Sequence, residues 1–575
     1  MTAVRRLQLI TLSLFAATAL TAQTTTTTAT APATTQRQAE AVTAETDQDV
    51  NDPRALRLSL DEAIRTSLEN NLGIRLETYD FRMSGENLRG SYGIFDPLAT
   101  GTIRQSSSQS PSISSFQAES TEQTLFNFGL AGNLPTGANY DIRFDNDRTD
   151  QGGGVQFVNP SYSSSLGASI TQPLLRDFGM DITRRGITIA RNNLGISREA
   201  FRVAIMDTAV SVEQAYLQLI YARRAVNVVK ESLFLARDQA RITQIRIDVG
   251  ASAPLDILQP RVTIATSEEQ LILAVANVRD AEDRLRQLLN LAPTEWDRPI
   301  VPTEDVSYTP TTISLDAAVA RAFELRPELR QLDLATENLR VQSLYARNQT
   351  LPVVDLFLGY NTAGTAGRVY DIDPDTGRPT TEVLRSTSYF QGLEQIFRND
   401  FPSWNIGVNL AVPIFNVAAR AEARRSELDL ERSHVSEEQL RQNIRVDVRN
   451  AARAVETAAR SIQATRAARE AAEQNLEAER RRYENGMTTN FQVLEIQQQL
   501  SDARVRELQA TVLYAQNLAN YHRAVGDILD VRNITVDEPE VPAEPRMFSF
   551  LDRYNWLNYG SRVHSKEQNN DQQPK

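Results

Sequence analysis

His434, His522 and His564 are the only histidines in the 575 residues, and none has a partner at helical spacing; cysteine is absent. General acid–base and nucleophilic catalysis draw on His, Cys or clustered acids that converge in a pocket, and metal sites draw on the same side chains. With so little of that material, a His-based triad, a thiolate nucleophile and a zinc-thiolate cluster all drop out. No Gly-rich loop followed by Lys and Ser or Thr is present, so the chain does not hydrolyse nucleotide by that route. The expectation is a protein that is not an enzyme and needs no cofactor or metal. The net charge of -12 repels phosphates, so a nucleic-acid partner is excluded as well.

The polar residues that remain interesting cluster around two glycine-centred turns. The first runs Gly250, Ala251, Ser252, Ala253, Pro254, Leu255, Asp256, Ile257, Leu258. The second runs Gly486, Met487, Thr488, Thr489, Asn490, Phe491, Gln492, Val493, Leu494, with Tyr483 before it and Glu495 after it. Glycine permits the left-handed backbone that ends a helix, and Ser, Thr or Asn can cap the helix that follows. Taken by position alone, Asp256, Tyr483 and Glu495 are also consistent with ordinary solvated helix residues.

The elements that hold these turns repeat. Ser59-Leu60-Asp61 with Ala63 recurs as Ser314-Leu315-Asp316 with Ala318, and Pro97 recurs as Pro352, at an offset of 255 both times. Leu166-Gly167 and Gln172-Pro173-Leu174 face Ile406-Gly407 and Val412-Pro413-Ile414 at 240, and Gly250 faces Gly486 at 236. A falling offset describes two collinear halves with different loop lengths. Each half reads helix, strands, very long helix, turn, helix. Leu440, Ile444, Val448, Ala451, Val455, Ala458 and Ile462 form one apolar stripe, and Val417 to Glu484 contains neither Pro nor Gly. One helix of that span would be roughly 100 Å long. A coiled-coil rod would look similar. The segments Ser59 to Arg89 and Leu255 to Leu291, with Leu315 to Asn348 and Phe491 to Leu529 in the second half, suggest instead two short helices stacked beside each long one.

Strand patterns sit between the helices. Ile406, Val408, Leu410 and Val412 alternate with Asn405, Gly407, Asn409 and Ala411; Leu166, Ala168 and Ile170 alternate with Gly167, Ser169 and Thr171. Val354, Leu356, Leu358 and Tyr360 follow Pro352 with the same period. This is the lipid-out, lumen-in pattern of a membrane barrel, and so few strands per chain close a barrel only if several chains contribute. Phe126, Phe128 and Leu130, a turn at Leu134 to Gly137, and Tyr140, Ile142 and Phe144 form a candidate extra hairpin within residues 122–147. The stretch from Asn361 to Phe401 reads as an irregular outer loop.

Arg5 and Arg6 before an apolar run from Leu7 to Leu20, with small residues at Thr21 and Ala22, read as a secretory signal peptide. The expected organisation is a signal peptide at 1–22, a Thr- and Ala-rich disordered leader at 23–53, repeat 1 at 54–295, a linker at 296–312, repeat 2 at 313–530 and a tail at 531–575.

Duplicated halves, strands entered and left through Pro97, Pro173, Pro352 and Pro413, and long helices turning at Gly-centred tips together resemble the TolC family of outer-membrane efflux and secretion channels. The resemblance covers residues 54 to 530. It implies a mostly α protein with a membrane β-barrel part, a homotrimer sharing one β-barrel in outer-membrane lipid and one α-helical barrel reaching into the periplasm. It also implies a periplasmic adaptor protein and an inner-membrane efflux or secretion transporter as partners, with the tip turns (Gly250, Ser252, Gly486, Thr489) meeting the adaptor. The family's gate aspartate matches Asp256 and its gate tyrosine matches Tyr483, while Thr488 replaces the gate arginine and Leu255 a gate threonine. Of two acidic positions lining the constriction, Glu495 is kept and Gln492 departs. In a threefold ring Glu495 would form a cation-favouring constriction. A periplasmic coiled-coil scaffold or adaptor is the alternative, but it leaves the alternating strands and paired prolines unexplained.

Overall fold

The structure is a computed structural model that describes residues 52 to 543 except 112, 114–116, 376 and 542. The expected signal peptide, nearly all of the leader and most of the tail lie outside the described residues. In chain order the first half contains β1 (Leu56–Leu58), α1 (Leu60–Asn70), α2 (Leu72–Ser91), β2 (Leu98–Gln109), β3 (Ser120–Asn133), β4 (Asn139–Gly152), β5 (Val158–Pro173), α3 (Arg185–Asp248) and α4 (Leu258–Leu289). After β6 (Ile300–Pro302) come α5 (Leu315–Leu325), α6 (Pro327–Asn348), β7 (Val353–Ile372), β8 (Pro379–Thr387), α7 (Tyr389–Arg398), β9 (Pro402–Ala411), α8 (Val417–Glu484) and α9 (Asn490–Val525). The chain divides into a larger unit (54–222, 278–471 and 503 onward) and a smaller one (223–277 and 472–502).

Local chemistry explains the helix boundaries in the larger unit. Ser59 caps α1 through the Glu62 amide while Glu62 accepts from the Ser59 N–H, a reciprocal capping box. The sequence reading ran this helix unbroken to Arg89. It breaks at Asn71, whose backbone is extended (ψ 129°) and whose side-chain oxygen accepts from the Gly73 and Ile74 amides. The second half breaks in the same way at Arg326 (ψ 118°), where Pro327 forces the preceding residue out of helical geometry. Asn71 and Arg326 stand 255 positions apart, the offset already seen for Ser59 and Ser314.

The apolar stripe of α8 supplies the core of this unit. Ile444 and Val448 pack with Ala318 and Ala322 of α5, Leu329 of α6 and Val525 of α9. Val455, Ala458 and Ile462 pack with Ala510 and Tyr514 of α9. The two segments that the length comparison set beside the long helix do pack on it here, the first of them as α5 and α6 and the second as α9. Arg523 of α9 adds a polar tie, donating to Asp207 of α3 and to Glu328 of α6. Burial alone would raise the Glu328 carboxyl, but the hydrogen bonds and charge of Arg326, with Arg523 beside it, hold it down at about 2. β1 and β6 form a small parallel pair.

The main sheet runs β2-β3-β4-β5-β7-β9, antiparallel throughout, and β8 shares the β7 edge with β9. β7 pairs with β9 over Val353–Thr362 and with β8 from Gly367 onward. The candidate extra hairpin is real and longer than expected: β3 and β4 are full members of the sheet, between β2 and β5. The stretch from Asn361 to Phe401 is not an irregular loop. It continues β7 to Ile372, adds β8, and folds α7, whose capping box at Ser388 and Gln391 and left-handed Asn399 fix both ends. Its Gly and polar content concealed a ten-residue amphipathic helix.

Candidate functional site

Cross-strand register turns the sequence alternation into two chemically distinct faces. Ala99, Leu130, Ile142, Ala168, Tyr360 and Trp404 form one row across six strands. The next row, one residue along each strand, is Thr100, Gly129, Arg143, Gly167, Asn361 and Ser403. Side chains of adjacent rows point to opposite faces, so one face is apolar and the other polar over the strand segments nearest the prolines; farther along, the first face carries Thr124, Glu122, Arg148 and Asp150. The apolar face is bare: Trp404 is 74% and Ile406 58% exposed, and Phe128, Leu358 and Val408 are exposed with them. A continuous greasy surface of this kind marks a membrane or a partner.

At one end the apolar face is covered by α7. A Cβ built on Gly364 would run into the Gly392 carbonyl, so the helix lies directly on the sheet and only glycine fits beneath it. Tyr389 stacks edge-on against Phe126 and donates to the Asn146 side-chain oxygen. Gln395 donates to the Thr365 carbonyl and accepts from the Thr365 N–H, filling the interval between β8 and β9 on the β7 edge. The outer side of α7 presents Phe390 and Phe397, both nearly four-fifths exposed.

The four prolines stand at passages between sheet and helices. Pro97 and Pro352 immediately precede β2 and β7; Pro173 ends β5 and Pro413 follows β9. After the latter two the backbone turns left-handed, at Asp177 and at Asn416. The Asp177 amide donates to Asn348, Arg176 donates to Gln349, and the Asn416 side chain donates to the Thr350 carbonyl. Each exit strand is thereby anchored to the end of α6.

In the smaller unit the two tips share one backbone solution. The Gly250 amide donates to Ile247 and the Ala251 amide to Arg246; 236 positions later Gly486 donates to Tyr483 and Met487 to Arg482. Both glycines are left-handed, with φ of 76° and 72°, completing a Schellman-type helix end. The cap after the first tip falls to Asp256, whose carboxylate accepts the Ala253 amide 3.0 Å away, rather than to Ser252. Asn490 accepts from Gln239, joining α9 to α3.

Around this frame the expected constriction residues divide. Asp256, Gln492 and Glu495 are exposed, as are Gly250, Gly486 and Thr489; Thr488 and Ser252 are half-buried. Tyr483 is buried, packed with Leu476, Val493, Ile496 and Leu500. Its partner is Arg246: the guanidinium carbon lies 4.2 Å from the ring centre, and Nη2 donates to the Tyr483 carbonyl at 3.0 Å and to that of Glu484 at 3.3 Å. The sequence reading did not single out Arg246. Val249, Leu255, Met487 and Phe491 are exposed at the same tips.

A sheet apolar on one face and polar on the other, carried by a chain dominated by long helices, defines a membrane-inserted conduit of the TolC-like class. A family model described as "Outer membrane efflux protein" matches residues 139–291 and 318–527, so the chain belongs to that family. It is a transport protein of the outer membrane and not an enzyme. Among curated relatives, the outer membrane efflux protein BepC of Brucella suis is 23% identical over 349 residues, 60% of this chain and 69% of that protein. The pyoverdine export outer membrane protein OpmQ of Pseudomonas aeruginosa is 23% identical over 402 residues, 64% and 77% of the two chains. Among solved structures, the Campylobacter jejuni CmeC outer membrane channel superposes with a TM-score of 0.58 at 16% identity, covering 88% of this chain and 90% of that one, a likeness of fold.

Proposed function

We propose that three copies of this chain assemble into one conduit, sharing a β-barrel in the outer membrane and a helical barrel below it, and that the conduit passively carries substrates delivered by an inner-membrane transporter through a periplasmic adaptor. The observation that carries this reading is the two-faced sheet whose outer edges, on β2 and β9, pair with no strand among the described residues: a bilayer tolerates no open strand edge, so other copies complete the sheet. A periplasmic scaffold would leave the apolar face in water. The exposed Val249, Leu255, Met487 and Phe491 beside Gly250, Ser252, Gly486 and Thr489 offer the adaptor an apolar contact at the tips. Repeated about a threefold axis, Glu495 is the carboxylate of the narrowest ring, with Gln492 beside it and Asp256, Tyr483 and Thr488 in the gate.

The domain division follows the same logic, with repeats at 54–295 and 313–530 each supplying strands, a long helix and a tip. Relatives named for pyoverdine export and for toxin and drug export favour small molecules or proteins as cargo, released without chemistry by the channel itself. The test is single-channel conductance of the purified protein in a planar bilayer. Discrete cation-selective steps, shifted toward anions by Glu495→Lys, are the expected result. Conductance without any change in selectivity would remove Glu495 from the constriction, and no conductance from a protein that fractionates as soluble would overturn the channel.

A further inference from the structure

The hairpin β3–β4 raises a question of size that its family membership does not answer. β3 pairs with β2 along Leu98–Gln109, and β4 pairs with β5 over Asn139–Thr149. The hairpin is thus built into the sheet and does not fold over it. Its apolar positions Phe128, Leu130, Ile142 and Phe144 continue the bare face, and its polar positions Asp141, Arg143, Asp145 and Asp147 continue the other. From free edge to free edge the path counts six strands, β2-β3-β4-β5-β7-β9. Both end strands are exposed along nearly their whole length, and they are of similar extent, 12 residues in β2 and 10 in β9. Because six is even, β9 runs opposite to β2, so the β9 edge of one copy meets the β2 edge of the next in the antiparallel sense used everywhere else in the sheet.

We propose that the hairpin widens the shared barrel to eighteen strands, three copies of six, with β9 of each chain paired to β2 of the next. The inference rests on the trimeric reading above. Barrel diameter grows about linearly with strand number, and barrels of 16 to 18 strands enclose an aqueous channel. With strands about 4.8 Å apart and tilted by about 40°, eighteen strands give a backbone diameter of about 36 Å, against about 24 Å if the hairpin stood outside and each chain gave four strands. The extra circumference is lined on the channel side by Asp141, Asp145 and Asp147 of β4, with Arg143 paired to Asp141 at 2.7 Å. The outer-membrane mouth of this conduit is therefore wide and acidic, and it does not set the size limit for cargo.

The experiment is a distance measurement on the intact assembly. Leu358 on β7 and Ile406 on β9 lie on the bare face of strands that both barrel sizes share, so Leu358→Cys and, independently, Ile406→Cys carrying a nitroxide label read the barrel width without deleting anything. Equivalent backbone positions of three copies lie about 31 Å apart in an eighteen-strand barrel and about 21 Å apart in a twelve-strand one, and an outward label arm of about 6 Å lengthens each to a spin–spin distance of about 42 Å against about 31 Å. Pulsed dipolar distances near the larger value at both sites support the proposal, and distances near the smaller value overturn it. Labels with no dipolar partner, in a protein that is still folded, would overturn the shared barrel itself and the trimer with it. A disulfide scan then tests the closing edge: Thr102→Cys on β2 should trap a cysteine on β9 at position 403, 405 or 409 in a neighbouring chain. A ladder ending at three covalent copies is expected; cross-links only within single chains overturn the β9–β2 closure.

Discussion

Arg246 sits over the ring of Tyr483 and donates to the same residue's carbonyl, so one guanidinium holds both the side chain and the last turn of α8. The cation sits at the C-terminal end of that helix, where the exposed carbonyls carry partial negative charge. Stacking and helix-end bonding together contribute about 1–2 kcal/mol. Arg246→Ala should therefore raise amide exchange through residues 481–487 by roughly 5–30-fold, and Arg246→Lys should recover only part of the protection because it lacks the planar face. Hydrogen exchange resolved to this segment is the check, and unchanged protection would separate Arg246 from the stability of the tip.

Thr488 lies just past the second tip glycine, and the resemblance to the TolC family implies a gate position there that would otherwise hold arginine. Thr488→Arg restores a charge able to reach a neighbouring acid and should lower the leak conductance of the closed channel. Single-channel records that match the unmodified protein would take this position out of the gate.

The faces of β9 predict opposite tolerance at adjacent residues. Val408→Arg places a charge on the bare apolar face and should cost about 2–4 kcal/mol of folding in lipid, whereas Asn409→Arg on the polar face should be nearly neutral. Folding into liposomes, followed by the heat-dependent shift in gel mobility, distinguishes them. Equal cost at both positions would contradict the assignment of the faces.

Glu328 makes acid stability predictable. Its folded-state value of about 2 lies below the ordinary 4.5, so its contribution is complete above about pH 4.5 and is lost as the pH falls toward 2. Glu328→Gln should cost about 2 kcal/mol at neutral pH, since it weakens hydrogen bonds to two arginines, and should flatten the acid limb of the stability curve. Denaturant midpoints from pH 7 to 2.5 test this; an acid limb equally steep in the variant would assign it to other carboxylates.

The helical and strand framework was legible because its signals are local. Val417 to Glu484 holds no helix breaker, and α8 occupies that same interval; the alternation at Ile406, Val408 and Leu410 needs only a period of two. The breaks at Asn71 and Arg326 were missed although their cause was in view: a side chain that caps a helix and a proline that starts one. Helix α7 was hidden because it is only ten residues long, lies within a stretch rich in Gly, Asp and Thr, and carries Gly392 where it touches β7. Arg246 and Tyr483 lie 237 positions apart, and no local pattern links them. Only the packing of α3 against α8 and α9 brings them together.

Helix α7 also fixes the depth at which the barrel sits in the bilayer. Along β7 the apolar face is open from Val354 to Tyr360 and shielded from Thr362 on, which leaves about 15 Å of height for hydrocarbon once strand tilt is allowed for. Sinking by one side-chain pair would drag Glu394, Arg398 and Asp400 into lipid, and rising by one would push Val354 and Leu410 into water. The seat is defended from both directions, so a membrane of different thickness must adjust to the protein.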